Sequence, residues 1–207
     1  MSRSNENSEQ SEKRPYRMGA RAAAAARTRE AILDAAEDAF EDQWFDDVTL
    51  ADVARLAGVS QQTIVNHFGS KEDLYITGIG ERVGPRISAR RDRARKGEVR
   101  SVVETAVDDY EQTGIGLLRV LATADRYPTM TTVAESGRVA HREWVTRCFP
   151  AVRDDRNGVI DQLCVLLDVR TWSQFRHEHG FDEARTVDTL VRMVEDALSH
   201  GNTGTPR

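Results

Sequence analysis

The apolar positions of this chain recur with helical period along most of its length, and no run alternates as a strand would. From Thr28 onward, Ile32, Ala35, Ala36, Ala39 and Phe40 recur at spacings of three and four. Glu30, Asp34, Glu37, Asp38 and Glu41 take the other face, which predicts a first helix over about 28–42. Trp44 and Phe45 follow in a short connection and are expected to cap a small core. Capping chemistry marks three further starts: Thr49 with Asp52, and Ser70 with Asp73, have capping-box spacing with Asp in place of Glu, and Ser60 is a good N-cap between them. Helices over about 49–56, 60–66 and 70–80 are predicted.

Gly78, Gly80, Gly84 and Pro85 then interrupt the pattern, so a kink or break is expected there. Beyond it Val102, Val103, Ala106, Val107 and Tyr110 form one stripe, and residues 115–121 extend it. Pro128 opens a segment that runs to Phe149, where Pro150 stops it. Residues 160–175 are apolar on most sides, whereas Val187, Leu190, Val191, Val194 and Leu198 make a single-face helix closing at Gly201. The fold class is therefore all-α, without an internal repeat.

Residues 1–15 are nearly empty of apolar side chains and cannot offset their own ordering entropy, so they are expected to be disordered. Charge then changes the picture locally. The net charge of −5 argues against a general nucleic-acid coat but permits a local basic footprint. Lys13, Arg14, Arg17, Arg21, Arg27 and Arg29 follow one another with no acid between them, a candidate basic arm. Arg82, Arg86, Arg90, Arg91, Arg93, Arg95, Lys96 and Arg100 form a second basic stretch, read either as a solvated face or as a further contact surface. The domains predicted are a disordered tail with basic arm over 1–27, a small helical domain over 28–80 and a larger helical domain over 81–207.

No stretch approaches the roughly 20 apolar residues a bilayer needs, and the polar N-terminus has no secretory core. Cys148 and Cys164 lack metal or redox spacing and suit buried thiols in a reducing cytoplasm. No Glu-x-x-His pair, phosphate loop or nucleophile elbow supports catalysis, and neither a cofactor nor a metal is expected. A helical adaptor and a bundle enzyme remain the rival readings.

The informative stretch is 49–74. In a helix-turn-helix, a small residue is needed where the helices touch and a residue tolerating positive φ in the turn; Ala54 and Gly58 fill those roles. Val53, Val59 and Ile64 are then set to join the two helices, leaving Gln61, Gln62, Thr63 and Asn66 facing outward. Thr49 and Ser60 would cap helices in any protein.

Over about 28–74 the chain resembles the TetR-type (TetR/AcrR) regulators, through Ala35, Ala36, Phe40, Thr49, Val53, Ala54, Gly58, Val59, Ser60, Thr63, His67, Phe68, Ser70, Lys71 and Leu74. The resemblance implies an N-terminal three-helix helix-turn-helix DNA-binding domain followed by a larger helical ligand-binding and dimerisation domain. It implies a cytoplasmic homodimer that represses transcription from a pseudo-palindromic operator and is released by a small-molecule effector. Gln61, Gln62, Thr63 and Asn66 are then the base-reading candidates, since Gln and Asn can pair with adenine edges in the major groove. Thr49, His67 and Lys71 match family positions that meet phosphates. Val65 departs from the family, which usually has Tyr or Phe there. The basic arm is either solvated or a groove contact. The resemblance puts the dimer surface on 160–175 and 184–198, and an effector pocket would draw on Tyr110, His141, Trp144, Phe149, Trp172, Phe175 and His177.

Overall fold

The computed structural model describes residues 6–41, 43–152 and 158–201. Among them there is no strand, and no helix is long and apolar enough to cross a membrane. The chain divides into two compact units, Met1–Gly78 and Ile79–Arg207.

The first unit contains α1 (Glu6–Glu41), α2 (Leu50–Ala57), α3 (Gln61–Phe68) and α4 (Lys71–Gly78). Its core gathers Ile32, Leu33, Ala35, Ala36 and Ala39 of α1 with Val48, Val53, Ala54, Ile64 and Leu74. Beside it Phe40, Phe45 and Tyr75 form an aromatic triad with centroids 4.7–5.9 Å apart. Phe45 is buried but Trp44 is 46% exposed, so only one of the two aromatics expected to cap the core does so. The turn explains this: Asp47 N donates to Trp44 O at 3.0 Å, and the chain reverses with the indole outside.

α1 starts far upstream of the 28–42 expected. Ala20 and the alanines at 22–26 are the strongest helix formers, and once the packed part of α1 nucleates the helix, each added residue costs little. Residues 6–27, read from composition as tail and arm, are thus helical, and residues 1–5 lie outside the described residues, as do the side chains of Lys13, Arg14 and Arg17. Arg21 and Arg27 are exposed, and Arg29 lays its guanidinium 5.3 Å from the centroid of the Phe68 ring.

The second unit contains a π-helical turn (Ile79–Val83), α5 (Gly84–Arg91), α6 (Val99–Thr123), α7 (Pro128–Cys148), α8 (Val159–Leu166), α9 (Val169–Ser173), a second π-helical turn (Gln174–Glu178) and α10 (Glu183–Gly201). The interruption expected at Gly84 and Pro85 is this first wide turn: proline brings no N–H, and a Cβ on Gly84 would lie 3.3 Å from the Ile79 carbonyl oxygen. The core stacks Val103, Val107 and Tyr110 of α6 against Trp144 and Val145 of α7, Leu163 of α8, Trp172 of α9 and Leu190 and Val194 of α10. The Trp172 ring occupies the space a Cβ on Gly114 would need.

A buried carboxylate organises the polar side of this core. Asp109 on α6 is 1% exposed and accepts from Arg90 Nε at 2.8 Å and from Arg91 Nε at 3.1 Å. Arg91 also donates to the Tyr110 hydroxyl at 3.1 Å and lies 3.3 Å from His141 Nδ1, while Trp144 Nε1 donates to the Arg91 carbonyl. Three further arginines of the second basic stretch are offset in the same unit: Arg93 pairs with Asp108, Arg95 with Glu98, and Arg100 with Asp188 and Glu104. Two arginines left facing an apolar core are costly, so Asp109→Ala should destabilise the protein by roughly 3 kcal/mol, read as a lowered thermal midpoint by circular dichroism. A change within the few tenths typical of exposed sites would show that the carboxylate anchors nothing.

Candidate nucleic-acid interface

α2 begins with a complete capping box. Thr49 is extended (φ −108°, ψ 157°); its side-chain oxygen accepts from Asp52 N at 3.2 Å, and Asp52 Oδ2 accepts from Thr49 N at 3.2 Å and from the Thr49 hydroxyl at 2.5 Å. These bonds from Thr49 hold the Asp52 carboxyl below its usual range, because they stabilise the ionised form. The helix ends at Gly58, whose φ of +66° lies in the left-handed region. Val59 N donates to Ala54 O at 3.0 Å, closing the turn where Ala54 is buried and offers only a methyl group to the crossing. Ser60 starts α3 by accepting from Thr63 N at 3.1 Å, and Gly69 ends it at φ +88°.

α3 is two turns long, and its faces are sharply divided. Ile64 is fully buried, whereas Gln61, Gln62, Val65 and Asn66 are exposed on the other side. The Gln61 side-chain amide makes no hydrogen bond among the described residues. Gln62 Nε2 donates to Asn66 Oδ1 at 3.0 Å, one turn apart, so the two amides stand as a connected pair. The Thr63 hydroxyl turns back to Ser60 Oγ at 2.9 Å and is half-buried, which separates it from the other three base-reading candidates. Val65, 39% exposed, leaves a small apolar spot where a ring would otherwise stand.

The three residues matched to phosphate positions differ among themselves. His67 is half-buried at the end of α3, and its ring nitrogens have no partner among the described residues. Thr49 has committed its hydroxyl proton to Asp52. Lys71, the first residue of α4, donates from Nζ to the carbonyl oxygens of Phe45 at 2.7 Å and Val48 at 2.9 Å, with the ammonium 4.1 Å from the Phe45 ring centroid. Sequence reasoning missed these carbonyl partners because a backbone acceptor carries no residue identity. The Gln62–Asn66 pair, by contrast, is an i, i+4 spacing that could have been read.

In the second unit Tyr110, Trp144, Phe149 and Trp172 lie in one core, and the polar atoms of Tyr110, His141, Trp144 and Trp172 are bonded to protein. The Tyr110 hydroxyl donates to Leu167 O at 2.8 Å, Trp172 Nε1 donates to Glu111 Oε1 at 2.8 Å, and His141 Nε2 lies 3.0 Å from Cys164 O. Burial pushes the Tyr110 hydroxyl far up and the His141 imidazole down. Trp144 and Phe149 are buried, Phe175 is half-buried and stacks on Phe181, and His177 is exposed with its edge toward Trp172. Elsewhere in this unit Val165 of α8 (65% exposed) and Met193 of α10 (37% exposed) line an open apolar groove with Leu166 and Ala197, flanked by Asp161, Asp196 and His200.

Comparison with known proteins matches residues 32–76 to the family described as bacterial regulatory proteins, tetR family. Over 194 residues the chain is 32% identical to the HTH-type transcriptional repressor BepR of Brucella suis, covering 88% of this chain and 85% of that protein. The chain belongs to the tetR family. This tetR-family chain is also 26% identical over 183 residues to the HTH-type transcriptional activator FasR of Mycolicibacterium smegmatis, covering 82% of each. Among solved structures, a transcriptional regulator from a Rhodococcus species superposes with a TM-score of 0.67 at 13% identity, covering 83% of this chain and 96% of that one. A tetR-family regulator from Mesorhizobium loti gives 0.63 at 19%, covering 85% and 97%. These likenesses carry the fold, and the BepR match carries the family, so the tetR-family protein is a DNA-binding transcriptional regulator with a helix-turn-helix domain and a helical domain after it.

The amide pair on α3 has a measurable consequence. If Gln62 and Asn66 meet the same base pair as a unit, the affinity losses of Gln62→Ala and Asn66→Ala should not add. The double variant should fall short of their sum by about 0.5–3 kcal/mol in a double-mutant cycle. Strict additivity would mean that the bond between them is incidental.

Proposed function

We propose that this regulator acts as a homodimeric repressor that reads a pseudo-palindromic operator with α3 and releases it when a small-molecule effector binds. The observation that carries the DNA reading is the division of α3: with Ile64 locked in the core, Gln61 and the Gln62–Asn66 pair stand on the free face as amides able to match adenine N6 and N7. His67, with both ring nitrogens without a partner among the described residues, is the phosphate contact favoured by its surroundings. The Thr49 hydroxyl can donate to a phosphate only by exchanging its bond to Asp52, and the Thr63 hydroxyl, half-buried beside Ser60, is set back from the exposed amides. Domain roles follow the same division, with residues 28–80 on DNA and 81–207 regulatory.

Dimerisation is supported by the apolar groove between α8 and α10, because a specific site on DNA needs two half-sites and an exposed apolar strip needs cover. Effector release is supported more indirectly. Ile115 is exposed and Leu117, Leu118 and Leu121 are only half-buried along the second half of α6, an apolar wall beside the aromatic core. Tyr110, His141, Trp144 and Trp172, already saturated with hydrogen bonds, would line such a site rather than anchor a ligand, with Phe149 behind them and Phe175 at the edge. A ligand that favours a conformer with mismatched recognition helices would release the operator.

Selection of bound duplexes from a random pool should return an inverted repeat with half-sites about one helical turn apart; an unordered pool would reject the reading. Val165→Glu should convert the dimer to monomer in light scattering and weaken binding to the selected duplex at least tenfold. Retention of both dimer and affinity would assign the interface to another face.

A further inference from the structure

We propose that Lys71 is a positioning residue for the DNA-binding face and not itself a phosphate contact, an inference that rests on the reading of α2 and α3 as that face. A lysine ammonium has three N–H donors and no acceptor capacity. Here two are taken by the carbonyl oxygens of Phe45 and Val48, at 2.7 and 2.9 Å. The Phe45 ring lies 4.1 Å away and covers the ammonium on a further side, where a cation is attracted to the negative face of the ring. Phe45 in turn is fixed in the triad with Phe40 of α1 and Tyr75 of α4. The half-buried side chain therefore ties the start of α4 to the turn that precedes α2.

The place of attachment gives the tie its effect. Val48 O belongs to the peptide whose nitrogen is Thr49 N, the group that donates to Asp52 in the capping box. Lys71 and Asp52 thus hold the two sides of one peptide unit and fix where α2 begins. α2 is only eight residues long and reaches α3 through the single left-handed residue Gly58, so a shift at its start is passed to the recognition helix with little to absorb it. A lysine held on carbonyls meets no phosphate directly and contributes only through its field, whereas each neutralised phosphate contributes roughly 0.9 to the slope of log affinity against log salt.

Lys71→Met keeps the stem over Phe45 and removes the donors. Binding of the full-length variant to the duplex selected by the wild type, titrated over a salt series, should weaken about tenfold with a salt slope changed by much less than the roughly 0.9 of one phosphate contact, at a temperature where the variant is fully folded. A slope flattened by about one unit would make Lys71 a phosphate contact, and an unchanged affinity would reduce it to a stability residue; either overturns the proposal. Reductive methylation of the wild type gives a second measurement that needs no variant, because the chain has only three lysines, Lys13, Lys71 and Lys96. Lys71 should resist modification equally with and without DNA. Rapid modification of the free protein and protection by DNA would overturn the proposal, whereas a wild type that selects no duplex at all would remove the DNA reading on which it rests.

Discussion

The burial of Ile64 is the constraint on which the DNA-binding unit depends. An eight-residue helix is far too short to persist alone in water, so α3 exists because one of its faces is locked into the core made by Ile32, Leu33, Val53 and Leu74. Locking that face fixes the orientation of everything else on the helix. Gln61, Gln62 and Asn66 are exposed for the same reason that Ile64 is not, and Thr63, at the boundary, turns its hydroxyl to the N-cap. The amide chemistry exposed on α3 is therefore a by-product of packing, which is how a small domain can present polar groups rigidly.

The protein keeps its cations in two different economies. In the second unit most of the arginines over 82–100 with described partners are ion-paired to acids of the same unit, and Asp109 is buried between two of them. A basic run in sequence is there an internal scaffold holding α5 against α6. In the first unit Lys71 is held by carbonyl oxygens rather than acids, so its charge is anchored but not neutralised. A positive charge fixed beside the start of α2 still raises the local potential for a polyanion without touching it.

BepR carries a repressor's name and FasR an activator's, although both align with more than four-fifths of this chain. The framework of caps, left-handed glycine and buried Ile64 is what a family can share.

Local chemistry made much of this legible from sequence alone. The capping residues Thr49 and Ser60, the turn glycine Gly58, the small Ala54 and the apolar period of α1 each act on their immediate neighbours, so α2, α3, α4 and the end of α1 could be read within a few residues. The N-terminal extension of α1 was missed because composition suggested disorder, while the alanines that propagate the helix contribute no apolar period. Tertiary structure alone decided that Trp44 would face out and Phe45 in, that Arg90, Arg91, Arg93 and Arg100 would find acids on other elements, and that the Lys71 ammonium would end on two carbonyl groups more than twenty residues away. Those outcomes depend on which groups the folded chain brings within about 3 Å. Backbone acceptors and the partners of long flexible side chains leave no periodic trace in a sequence.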